Sequence, residues 1–229
     1  SEYAQILDYS IEAFKQKNSD FFIIAGGFDN ASINIPGQSI NQFTYIQQME
    51  NALPGIFSKI DGISAHAYPN PAFSAPPSNS RTGIYSFYYQ KQLAEGYANK
   101  KLPVFITETG WSNNSIPQSL QSIYYKQAFS NYWSGNDIVA VTPFILNSAE
   151  GPFEQFSFIR NSEKTEIYKT YQSLPKVKGE PLLTKPEIDS DELNTNLPTK
   201  KFDLDKTIKS VFGTVNKSSL IFFRWLINN

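Results

Sequence analysis

Four short apolar runs, each followed by a polar loop and a segment of helical spacing, constrain this chain more than any other feature. The first spans 21–27 and reads Phe-Phe-Ile-Ile-Ala-Gly-Gly; the second, 62–68, is Gly-Ile-Ser-Ala-His-Ala-Tyr. The third, 104–108, is Val-Phe-Ile-Thr-Glu, and the fourth, 138–146, carries Pro143 and Phe144 near its end. A continuous apolar run closed by glycines, as at 21–27, predicts a strand buried on both faces. Between the runs lie helical patterns. Tyr3, Ile6, Leu7, Ile11 and Phe14 share one face behind a possible Ser1 cap, and further helices are expected over 43–60, 83–98, 119–133 and 166–174. Pro54 should kink or split the second of these. Strands alternating with helices at this spacing imply parallel βαβ units with right-handed crossovers.

Composition then removes whole classes of function. Across 229 residues there are 20 Lys and Arg against 21 Asp and Glu, with no basic run, so no field favours a phosphate backbone and nucleic acid is not an expected partner. The absence of Cys rules out disulfides, thiolate nucleophiles and Cys-held metal, and a single His rules out a multi-His metal site. No metal or other cofactor is implied. Aromatic residues are abundant at 15%, which suits a large core with surfaces for stacking. No run approaches the roughly 18 apolar residues of a membrane span. The first residues lack the pattern of a signal peptide, and the chain starts at Ser1 rather than Met, so an upstream part is expected to have been removed or omitted.

From 175 onward the sequence turns to Pro, Lys, Asp, Glu, Asn and Thr with little periodicity. The expected organisation is a βα domain over 1–174 and a linker with a C-terminal tail over 175–229. In that tail Leu204, Ile208, Val211, Phe212 and Val215 form a modest amphipathic stripe.

In parallel α/β folds the carboxyl ends of the strands share one face, and here each end carries polar or aromatic groups. They are Asp29 and Asn30, His66 and Tyr68, Glu108 and Trp111, and Asn147 with Glu150. Glu108 is the most informative, because a carboxylate ending an apolar strand needs a partner or a purpose. Trp111, after the turn at Thr109 and Gly110, offers an aromatic plate for a sugar ring. His66 and Tyr68 alternate with Ala65 and Ala67, so they point to one side, and the Tyr68 hydroxyl can donate to a nearby carboxylate. A lone His is more often structural than catalytic. For Asp29 and Glu150 a capping or solvated role is preferred.

The string 104–111, Val-Phe-Ile-Thr-Glu-Thr-Gly-Trp, preceded by Ile-Ser-Ala-His-Ala-Tyr-Pro over 63–69, resembles strands seven and six of the clan A retaining glycoside hydrolases. That resemblance implies the C-terminal half, strands five to eight, of a TIM (β/α)8 barrel over 1–174. It implies Glu108 as the catalytic nucleophile, with His66 and Tyr68 contacting it, and Trp111, Phe144 and Asn147 as substrate-binding residues on an oligosaccharide or polysaccharide. Two departures accompany it. The family's acid/base Glu, at the end of strand four, would lie before Ser1, and Phe144 stands where the family often has a Trp.

Retaining hydrolysis requires two carboxyl groups roughly 5–5.5 Å apart, so one carboxylate without its acid partner should be slow by about 10²–10⁴-fold on a poor leaving group. The expected function is therefore a glycosidase acting on a β-linked glycan, weak or inactive as an isolated chain and needing its missing half or self-association. The alternative is a non-catalytic carbohydrate-binding or scaffolding remnant. A flavodoxin-like nucleotide binder is disfavoured because no Gly-rich phosphate loop occurs. Three N-x-[ST] triplets, at Asn30, Asn113 and Asn216, are compatible with a secreted or cell-surface glycoprotein without establishing one.

Overall fold

A computed structural model describes residues 2–148 and 151–176. Six α-helices are described: α1 (Glu2–Lys17), α2 (Gln42–Ala52), α3 (Ile56–Lys59), α4 (Ser86–Ala98), α5 (Gln118–Asn131) and α6 (Glu166–Ser173). The strands β1 (Ile24–Ala25), β2 (Gly62–His66), β3 (Val104–Glu108) and β4 (Ile138–Val141) form one sheet in the order β1-β2-β3-β4. All of its neighbours are parallel. The short antiparallel pair β5 (Ile159–Arg160) and β6 (Glu163–Lys164) lies outside it. The fold is thus α/β with a four-stranded parallel sheet, as the alternation of strand and helix patterns predicts.

Local chemistry accounts for the element ends. In α1, Ala4, Leu7 and Ile11 recur on the buried face, Glu2 stands in the first turn and Lys15 and Lys17 in the last, complementing the helix dipole. The helix expected over 43–60 is split. Pro54 lies in the break, and Gly55, at φ 85°, takes the left-handed conformation that a side chain resists. Asn99 ends α4 in the same region, at φ 52°.

Two expectations about the strands need correction. Only Ile24 and Ala25 of the run 21–27 join the sheet, and only Ala25 is buried. Phe21 and Phe22 turn to ring contacts with Phe14 and Phe105, at 5.5 and 5.6 Å, and the Asp61 carboxylate takes the amide of Ile23. The fourth strand stops at Val141 rather than 146; Pro143, which has no N–H, lies just beyond its end.

Helices cover one face of the sheet. Ala25 and Ile63 pack with α1, α2, α3 and α4, while Ala65, Ala67, Val104 and Ile106 pack with α4, α5 and α6. Ile24, Ser64, Phe105, Thr107 and Ala140 belong to neither cluster, although the Gln90 amide of α4 donates to the Ser64 carbonyl at 2.9 Å. The Ser64 and Thr107 hydroxyls meet across this face at 2.6 Å. A parallel sheet ordinarily has both faces covered, either by helices on two sides or by closing on itself as a barrel.

Candidate active site

The strand register builds the site. Ile63, Ser64 and Ala65 pair with Val104, Phe105 and Ile106, and then the register slips so that His66 pairs with Glu108. The slip leaves Thr107 as an extra residue on β3. Simple alternation would send Thr107 and Glu108 to opposite faces, whereas the irregularity brings Glu108 beside His66. Thr109, fully buried, locks the two strand ends together by donating its hydroxyl to the Ala67 carbonyl at 2.8 Å, while the Ala67 amide donates to the Glu108 carbonyl at 2.9 Å.

Glu108 therefore meets two side chains. The Tyr68 hydroxyl donates to Oε2 at 3.0 Å, and His66 Nε2 lies 3.5 Å from Oε1. The Glu108 side chain keeps 34% of its surface exposed and that of His66 25%, so the pair is open on one side. Burial, reinforced by the charge and hydrogen bond of Glu108, pushes the Tyr68 hydroxyl well above its ordinary range. It stays a proton donor across all physiological pH. His66 is held from behind by Gly27, where a Cβ would fall 2.2 Å from the imidazole. Only glycine leaves room for the ring there.

Around Tyr68 stands an aromatic wall. Phe73 lies edge-on to it at 5.2 Å, and Phe144 and Phe156 each at 6.2 Å, with Phe153 extending the wall beyond Phe144 at 5.3 Å. Phe144 is thus half-buried beside the carboxylate site. Asn147 is exposed and is not among the groups that hydrogen-bond Glu108, and Glu150 lies outside the described residues.

Trp111 departs from expectation. It is 1% exposed, its ring packs edge-on to Tyr125 at 4.7 Å, and its Nε1–H donates to the Ala75 carbonyl at 2.9 Å. The turn at Thr109 and Gly110 aims the indole into the helix-covered core rather than into the site. It offers no free face to a sugar.

Asn30 is likewise internal, at 1% exposure. Its amide donates to the carbonyls of Tyr68, Thr82 and Gly83 at 2.8, 3.0 and 3.1 Å, and its oxygen accepts from Asn70. Its triplet is out of reach of a glycan in the folded chain. The Asn113 side chain, in the second triplet, meets the Gln121 amide at 2.6 Å, and Asn216 lies outside the described residues. Asp29 uses Oδ1 to accept the Ala31 amide at 2.8 Å, the local capping role expected of it. Sequence reasoning missed Gly27, Phe73 and Phe156. Only the glycine carried a signal, as the last residue of an apolar run before a polar loop.

No model of a protein family matches this sequence, and no curated protein matches it. Among solved structures, the chain is similar to a family 39 glycoside hydrolase from the gut symbiont Bacteroides cellulosilyticus WH2, with 20% identity and a TM-score of 0.49. The match covers 72% of this chain and 35% of that one, so the chain spans about a third of the length of the structure it matches.

Proposed function

We propose that this chain carries the nucleophile half of a retaining glycosidase acting on a β-linked glycan, with Glu108 as nucleophile. The observation that carries the reading is the pairing of Glu108 with both Tyr68 and His66 at the open end of a parallel sheet. A carboxylate that accepts one O–H and faces an imidazole is held in place and aimed, as attack on an anomeric carbon requires. Tyr68 and His66 orient it, and Phe144, Phe73 and Phe156 form a dry aromatic side to the space in front of it.

In the first step a Glu108 oxygen bonds to the anomeric carbon and the glycosidic oxygen leaves with its electron pair. A sugar leaving group needs a proton at that moment, and hydrolysis of the adduct needs a base to take one from water. Neither is assigned to Asp29, whose carboxylate caps its own loop. We assign this second carboxyl to the other half of the barrel, the half that would also cover the open sheet face. The catalytic domain in this reading is 1–174, with 175–229 as linker and tail. Because those two duties fall outside the chain, a non-catalytic carbohydrate-binding remnant is the second reading.

An activated 2-deoxy-2-fluoro glycoside separates the two. Its leaving group departs without a proton, and the fluorine slows both steps, so an adduct should persist on Glu108. Intact-mass and peptide mapping should show one glycosyl unit there and none in Glu108→Gln. Sugar binding without labelling would favour the binding reading, and labelling at Asp29 or Glu150 would overturn the assignment of Glu108.

A further inference from the structure

Beside the carboxylate site runs a groove of about 590 Å3 that the proposed chemistry does not use. Its walls include Tyr3 of α1, Gly27 and Phe28 after β1, and Gln42 and Tyr45 of α2. The volume falls within the roughly 300–1,000 Å3 of small-molecule sites. It adjoins the candidate active site through Gly27, the residue against which His66 packs.

The lining states the ligand's chemistry. Tyr3, Phe28 and Tyr45 form one aromatic cluster, with Phe28 and Tyr45 5.4 Å apart and Tyr3 6.1 and 6.4 Å from them. Among the described residues no Lys, Arg or His lines the groove and its one carboxylate is Asp29, so these residues offer an anion no counter-charge. Gln42, the first residue of α2, is 1% exposed, and neither atom of its amide has a hydrogen-bond partner among the described residues. Leaving such a group unpaired is unfavourable, and a ligand that pairs it gains by doing so. The amide offers donor and acceptor side by side, which matches a pair of neighbouring hydroxyls. Aromatic faces, no cation and one unpaired amide together select a neutral ring that is apolar on its face and hydroxylated at its edge.

The geometry points to a second sugar subsite in this groove: a pyranose of an uncharged oligosaccharide, next in the chain to the unit at Glu108, set against Phe28 and Tyr45 and paired with Gln42. This inference rests on the carbohydrate reading of Glu108. Gln42→Leu removes the amide at nearly constant volume, and Ser32→Phe fills the groove from a residue that lines it. Titration calorimetry with β-linked gluco-, xylo- and mannotetraose should show the tetraose that binds the wild-type chain losing about tenfold in affinity in each variant. Gln42→Leu should at the same time melt a few degrees higher, because a buried unpaired group has gone. A merely structural Gln42 would give the thermal gain without the loss of affinity. Unchanged tetraose affinity in both variants, or no tetraose binding by the wild-type chain, would overturn the subsite. Labelling of wild-type Glu108 is the separate readout. Labelling present with unchanged affinities removes the subsite alone, whereas labelling absent with affinities lost removes the hydrolase reading and leaves the groove.

Discussion

At the scale of single residues, the site depends on one missing Cβ and one hydroxyl. Gly27→Ala would place a methyl carbon 2.2 Å from the His66 ring, a distance at which the imidazole must move away from Glu108. Such overpacking costs about 1–3 kcal/mol. A displacement of this kind at a reacting group slows chemistry by up to about 10²-fold. The expected result is a lower melting temperature together with slower labelling of Glu108, read by calorimetry and time-resolved mass spectrometry. Tyr68→Phe keeps the ring in its aromatic wall and deletes only the donor to Oε2. Hydrogen bonds to a charged group contribute about 1.5–3 kcal/mol to stability, so the melting temperature should fall by several degrees, and labelling should slow because Oε2 loses the donor that aims it. Equal labelling rates for Tyr68→Phe and the wild-type chain would remove Tyr68 from the machinery. His66 and Tyr68 stand at a strand end, where the sequence marks them, yet their contact with Glu108 comes with a register slip that no alternation of apolar and polar residues announces.

At the scale of elements, the strand-to-helix turn after β3 decides what Trp111 does. Its motif predicts an open aromatic plate, and the structure buries the indole between the turn and α5. The sequence contains both possibilities because Thr-Gly-Trp says only that the chain turns; the direction depends on the space that Tyr125, Tyr124 and Trp133 leave beneath the sheet. Trp111→Ala should therefore act on stability. Truncating a buried Trp costs about 3–5 kcal/mol, or roughly 10 °C in melting temperature for a chain of this size. The companion variant Trp111→Phe, which keeps most of the volume, should recover a large part of that loss and leave sugar affinity unchanged. A fully stable Trp111→Ala variant with impaired sugar binding would restore the stacking role. Helices, in contrast, were legible to within a few residues, because buried positions at helical spacing are a local property and Pro54 and Gly55 mark their own break.

At the scale of the whole molecule, the alternation of strands and helices declares a parallel sheet, whereas the extent of β1 and β4 was overestimated because edge strands owe their length to neighbours. Buried tyrosines set the alkaline limit of stability. Burial pushes Tyr171 up to about 12, and raises Tyr125 and Tyr68 as well. The unfolded chain releases these protons near pH 10 while the folded chain retains them, so stability is fully present below that pH and falls as pH rises above it. Fully buried Tyr125 alone should contribute about 1 kcal/mol of loss per pH unit, measurable as a steepening decline in melting temperature beyond pH 10. The sheet's open face sets a second limit. Ile24, Phe105, Thr107 and Ala140 belong to neither core cluster, Phe21 and Phe22 are 44% and 39% exposed, and among the described residues β1 and β4 each pair on one side only. Unpaired edges beside apolar surface drive association. We expect the isolated chain to self-associate in sedimentation as concentration rises, and to become monodisperse when supplied with a partner carrying the other four strands. A chain that stays monomeric at high concentration and melts in one cooperative transition would show that this face needs no cover, and would remove the half-barrel from the proposed function.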